Sequence, residues 1–109
     1  MAISWEDFEK VDMRIGRVVK AEPLPGAEKP AYRLEIDFGP LGVKKSSARI
    51  TELYGPQQLV GKQVVCVVNF PPKKIAGFDS EVLVMGVYDR KGVVLLAPER
   101  ECDLGTRIG

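Results

Sequence analysis

Proline and glycine cut this chain into pieces too short for long helices. The breaks fall at Pro23-Leu-Pro-Gly-Ala-Glu-Lys-Pro30, Gly39-Pro40-Leu41-Gly42, Gly55-Pro56, Pro71-Pro72, Asp89-Arg-Lys-Gly92 and Pro98. Proline lacks a backbone donor and fixes φ, and glycine enters turns at little steric cost, so each cluster ends what precedes it. Between the breaks stand short runs of β-forming residues. Tyr32-Arg-Leu-Glu-Ile-Asp-Phe38 alternates, with Tyr32, Leu34, Ile36 and Phe38 on one face and Arg33, Glu35 and Asp37 on the other. That period of two is the mark of a half-buried strand. Val43-Lys-Lys-Ser-Ser-Ala48 returns from the Gly39–Gly42 turn as its hairpin partner. Residues 13–22 read as a long, curved first strand, with a bend or bulge at Gly16. Residues 63–70 are apolar on both faces, as a central strand is. Residues 81–87 and 93–96 supply further strands, and 75–80 reads as a loop.

Helical signals are brief. Ser4 is placed to cap a helix, with Asp7 three residues on at the capping-box position, and Trp5, Phe8 and Val11 recur at helical spacing. The spacing predicts a helix of about two turns. It is too short to stand alone in water, so its apolar face must dock on something. Ile50, Leu53 and Tyr54 predict a helical turn ended by Gly55-Pro56, and residues 57–61 a second one. Five or six strands with scraps of helix imply an all-β fold in a single domain over residues 1–109. A long first strand, a meander and a helical turn before the fourth strand fit a five-stranded OB-fold barrel with extra short strands. An SH3-like barrel or a sandwich is the alternative.

The residues present exclude much chemistry. The chain has 109 residues and no histidine, which removes imidazole catalysis, imidazole metal ligation and imidazole pH switching. The two cysteines, Cys66 and Cys102, lie too far apart in sequence for a redox pair or a zinc site. Cys66, inside Val64-Val65-Cys66-Val67-Val68, reads as a buried free thiol, and the compartment as the reducing cytoplasm. Asp12, Glu35 and Asp37 form no catalytic set: two share an alternating, solvated strand face, and they have no His or Cys partner. No metal, no cofactor and no enzymatic activity are expected. The start of the chain carries no signal peptide pattern, and no run approaches the roughly 20 apolar residues of a membrane span, so no membrane insertion is expected.

Net charge is +1, yet the charges are segregated. From residue 44 to 74 stand Lys44, Lys45, Arg49, Lys62, Lys73 and Lys74 against the single acid Glu52, so that stretch carries +5 and the remainder −4. A basic middle between acidic ends can mark a face for anions, or lysines solvating a surface. Within it, residues 69–80 place Phe70 and Phe78 on either side of Lys73 and Lys74, beyond Pro71-Pro72. Large apolar residues in such a segment bind something or plug the barrel end. Lysines beside aromatics suit stacked bases with phosphates, and equally an extended peptide.

The joint spacing of several motifs resembles the tRNA-binding domain, an OB-fold module found in many methionyl-tRNA synthetases and in free-standing proteins. The motifs are Asp12-Met-Arg-Ile-Gly-Arg-Val, Pro30-Ala-Tyr32, Tyr54-Gly-Pro-Gln-Gln-Leu-Val-Gly-Lys62, Val67-Val-Asn69, Pro72-Lys-Lys-Ile-Ala-Gly77 and Ser80. Two departures stand out: Ser47-Ala48-Arg49 in place of Ser-Gly-apolar, and Ser80-Glu81-Val82-Leu83 in place of Ser-x-Gly-Met. With Lys44-Lys45-Ser46-Ser47-Ala48 and Val68-Asn-Phe-Pro-Pro72, they resemble the CsaA branch, described as homodimeric, export-related chaperones for unfolded preproteins. The resemblance implies a site for peptide or tRNA at Lys44, Lys45, Ser46, Ser47, Arg49, Asn69, Phe70, Lys73, Lys74, Phe78, Ser80 and Glu81. The amphipathic N-terminal helix with Trp5 and Phe8 and the tail with Leu104 and Ile108 are expected to form a homodimer interface, and the resemblance implies a homodimer too. The partners implied are unfolded preproteins and the export machinery. The alternative, through the same basic face, is structure-specific tRNA binding, which a carboxylate at Glu81 opposes.

Overall fold

The computed structural model describes residues 1–109. Ser4 caps helix α1, Trp5–Glu9, with the reciprocal Ser4–Asp7 capping box that the sequence predicts. The helix is one turn and a fraction, shorter than the spacing implied, and it buries no residue. Strand β1, Met13–Pro23, then runs the length of the barrel. Its first half pairs with β4, Gln63–Val67, and its second half with β2, Tyr32–Asp37. β2 in turn pairs with β3, Val43–Ala48, after a 3-10 turn at Gly39–Leu41. β7, Leu83–Val84, adds to β4, which completes a five-stranded antiparallel sheet in the order β3-β2-β1-β4-β7. The sheet curls until β3 comes back against β7, giving the nearly closed barrel of an OB fold.

Short strands fill in the rest. Strands β5, Lys73–Ile75, and β6, Phe78–Ser80, form a hairpin where the sequence predicted a loop. Its two turn residues, Ala76 and Gly77, both have positive φ, which is how a two-residue turn matches the twist of its strands. Strands β8, Gly86–Asp89, and β9, Gly92–Leu95, form a second hairpin, so the predicted strand at 81–87 is split in two. Helix α2 is Pro56–Leu59. It falls on the second predicted helical turn, and Gly55-Pro56 separates it from the turn at 51–53, since proline is at home in a first helical turn. No helix is long and apolar enough to cross a membrane.

The core is the inward face of β2 and its neighbours: Tyr32, Leu34, Ile36 and Phe38, with Val18, Ile50, Leu59, Val64, Cys66 and Val82. The irregularity in β1 lies at Val19, between Val18 and Lys20, and not at Gly16. Gly16 serves close packing: a Cβ there would stand 2.5 Å from Ile36 Cγ2 and 2.7 Å from Phe38 Cε1. Residues 104–108 lie along the remaining edge of β1, with Gly105 N–H donating to Ile15 C=O and Ile108 N–H to Met13 C=O, both at 2.8 Å. Gly16→Ala must push two core side chains aside and should cost about 1–3 kcal/mol, seen as a lower urea midpoint. An unchanged midpoint would show that the strands can separate there freely.

Candidate binding face

The barrel wall formed by β1, β2 and β3 presents two cross-strand rows. Pairing register sets Lys20, Glu35 and Lys45 side by side, and likewise Glu22, Arg33 and Ser47. Because successive strand residues point to opposite faces, all six share the outer face. The charges alternate and meet. Arg33 Nη2 is 2.7 Å from Glu22, and Lys20 Nζ is 3.7 Å from both Glu22 and Glu35. The β5–β6 hairpin folds onto this wall. Half-buried Ile75, Phe78 and Ser80 lie on the hairpin face shared with exposed Lys73, and Lys74 pairs with Asp79 on the other face at 3.3 Å. Lys45 Nζ stands 5.5 Å from the centre of the Phe78 ring, a cation–π contact. A recess of about 150 Å³ lies between Phe78 and the charged wall, lined by Lys20, Glu22, Arg33, Leu34 and Glu35.

The predicted site residues are thus sorted by position. Lys45, Ser47, Lys73, Phe78, Ser80 and Glu81 are brought together around the hairpin. Ser46 is also there but fully buried, its hydroxyl donating to Val82 C=O at 3.0 Å, so it closes the barrel and offers nothing to a ligand. Lys44 shares the Ser46 side of β3, and Arg49 is exposed just past its end. Asn69 is placed elsewhere. Its Oδ1 accepts from Asp12 N–H at 3.0 Å, and its Nδ2 donates to Lys10 C=O at 2.7 Å, tying β4 to the end of α1. Phe70, next in the chain, is exposed. The wall residues Lys20, Glu22, Arg33 and Glu35 were not singled out as binding residues. Arg33 and Glu35 alternate in the sequence as a solvated strand face, but which charge stands beside which depends on register.

The three carboxylates considered for catalysis are separately engaged. Asp12 pairs with Arg14 at 2.7 Å, Asp37 accepts from Gly39 N–H at 2.8 Å, and Glu35 faces Lys20. At the C-terminal segment, the side-chain hydrogen bond from Arg17 holds the Glu101 carboxyl below its ordinary range. Gln63 there exchanges two hydrogen bonds with the Cys102 backbone, at 2.7 and 2.9 Å. Leu104 and Ile108 are half-buried against their own barrel, whereas Trp5 is 79% exposed and touches Phe8 edge-on.

Cys66 and Cys102 are both free thiols. Burial pushes the Cys66 thiol from 9.0 up to about 12. A folded value above the unfolded one contributes stability that is whole below pH 9.0 and is lost as pH rises toward about 12. At about pH 8 a thiol reagent should therefore modify Cys102 alone in the native protein and both thiols after denaturation. Rapid native labelling of Cys66 would contradict this placement.

A family model described as "Putative tRNA binding domain" matches residues 13–107. The crystal structure of chaperone CsaA from Bacillus anthracis str. Ames superposes with a TM-score of 0.94 and 55% identity, covering 100% of both chains. That of the CsaA chaperone protein from Picrophilus torridus gives 0.94 and 45% identity, covering 99% of this chain and 100% of that one. Methionine–tRNA ligase of Pyrococcus horikoshii is 33% identical over 106 residues. That match takes in 97% of this chain but spans only 14% of the ligase.

Proposed function

The chain belongs to the tRNA-binding-domain family and, within it, to the CsaA family, and from that premise we propose a homodimeric chaperone that captures non-native polypeptide. It would hold preproteins for export in the cytoplasm, as a binder and not a catalyst. The observation that carries this reading is the pairing of charges around Phe78. On the wall, Lys20 and Arg33 each have a carboxylate partner. A wall so neutralised sends little positive field toward phosphates, while its aromatic edge and recess suit an apolar side chain flanked by polar backbone. Glu81 adds another carboxylate beside β3.

A second reading, tRNA binding through shape and phosphate contacts, is favoured by Lys44, Arg49 and Lys73, which have no ion-pair partner. The description of the family and the likeness to methionine–tRNA ligases favour it too. Competition between an unfolded preprotein and total tRNA, repeated over a range of salt, separates the two. Peptide capture should show a shallow salt dependence, with Phe78→Ala weakening it by roughly 1.5–3 kcal/mol if the ring is fully buried by the client. Phosphate binding should instead fall with a log–log slope near −0.7 to −0.9 per neutralised phosphate, with Lys73→Glu the more damaging change. Tight tRNA binding at physiological salt without any preprotein binding would replace the first reading by the second.

Dimerisation is supported by the apolar surface left uncovered. α1 buries none of its residues, and Trp5, Ile3, Val87 and Tyr88 are exposed. A helix of five residues and a lone two-stranded hairpin are both marginal in water. An isologous contact would cover them and set two binding faces on one particle. Sedimentation at micromolar concentration should give a dimer, and Trp5→Ala should shift it toward monomer. A wild-type monomer under those conditions would rule the arrangement out.

A further inference from the structure

Where β3 meets the end of the β5–β6 hairpin, side chains stand in for a strand. Lys45 N–H donates to Glu81 Oε1 at 2.8 Å, and Ser47 N–H donates to Ser80 Oγ at 2.9 Å. A single backbone bond joins the two segments here, from Glu81 N–H to Lys45 C=O at 2.8 Å. The hairpin itself is no part of the five-stranded sheet. It is connected to β4 through Pro71-Pro72 and rests on β3 through these oxygens and the Lys45–Phe78 contact. Its turn holds Ala76 at φ 50°, the left-handed region that disfavours any residue with a Cβ. A flap held by these hydrogen bonds and by half-buried Ile75 and Phe78 therefore covers the backbone edge of β3.

We propose that this edge of β3 is a docking strand for an extended segment of polypeptide, which displaces the Ser80 and Glu81 oxygens. The proposal rests on the capture reading above and names how the client is held. Lys45 and Ser47 point their N–H groups away from β2, and Lys45 points its carbonyl the same way. An incoming strand finds there the donors and acceptor of an antiparallel edge. The exchange is nearly balanced: client carbonyls take the two N–H groups, a client N–H replaces that of Glu81 on the Lys45 carbonyl, and the released hydroxyl, carboxylate and Glu81 N–H return to water. Binding by backbone reads no particular side chain, as a receptor for unrelated unfolded chains requires. Alternate side chains of the client would fall toward Phe78 and the mixed-charge wall.

The test uses the full chain and a short unstructured synthetic peptide, fluorescently labelled, in three forms. One is unmodified, one is N-methylated at every second residue, and one is N-methylated at every residue. The fully methylated form should bind about tenfold more weakly, the worth of one or two hydrogen bonds, while the half-methylated form, which turns its free edge to β3 by a one-residue slip, should bind like the parent. If the parent binds and the fully methylated form binds equally well, edge docking is overturned while the capture reading stands. If the parent fails to bind at every salt concentration, both fall. A second arm closes the flap with Ser47→Cys and Ser80→Cys in a Cys102→Ser background. The oxidised, cross-linked protein should lose affinity about tenfold and regain it in reductant, in line with an edge that must be uncovered. Equal affinity of the oxidised and reduced forms would also overturn the proposal.

Discussion

The missing side chain at Gly16 lets this barrel close. Ile36 and Phe38 occupy the space a Cβ would need, so β1 and β2 approach until their side chains fill the centre. Both edges of β1 are then used. One carries β4, and the other carries β2 over its second half and residues 104–108 over its first. A strand that serves three neighbours must bend, and the irregularity at Val19 is where it does so. The C-terminal segment is accordingly part of the fold. Its Leu104 backbone lies against Gly39, and Gly105 against the Phe38 carbonyl, places where a Cβ would collide.

The same closure explains why the binding face is neither a plain basic patch nor a plain apolar groove. Curling the sheet brings β3 to β6 and β7, but the chain between them is short and the hairpin is its own small sheet. Ser46, Ser80 and Glu81 bridge the seam with side-chain oxygens. Residues that look like a polar ligand-binding set in the sequence are therefore spent largely on the fold. What stays available on the outside is Phe78, Lys45, exposed Lys73 and a wall whose Lys20 and Arg33 already have partners. Specificity in such a place comes from shape and backbone pairing more than from net charge.

The alternation in residues 32–38, the breakers between strands and the Ser4 capping box were all legible, because each depends on neighbours a few residues away. So was the buried thiol of Cys66, surrounded in sequence by valines. One local misreading has a local cause: residues 75–80 carry too little alternation to declare a three-residue strand on each side of a turn. That Asn69 stands apart from the hairpin has a different cause: its amide bonds to Lys10 and Asp12, which lie 59 and 57 residues away.

The sequence by itself determined that this chain is a barrel of short antiparallel strands with no histidine chemistry, since strand periodicity and residue inventory are properties of the chain. Only the tertiary structure decided which charges neutralise each other and which hydroxyls remain free. Those outcomes follow from the register of β1, β2 and β3 and from the seam at β6 and β7. A shift of one residue would turn every side chain to the opposite face, and no local pattern of charged residues records which partner stands 2.7 Å away across the sheet.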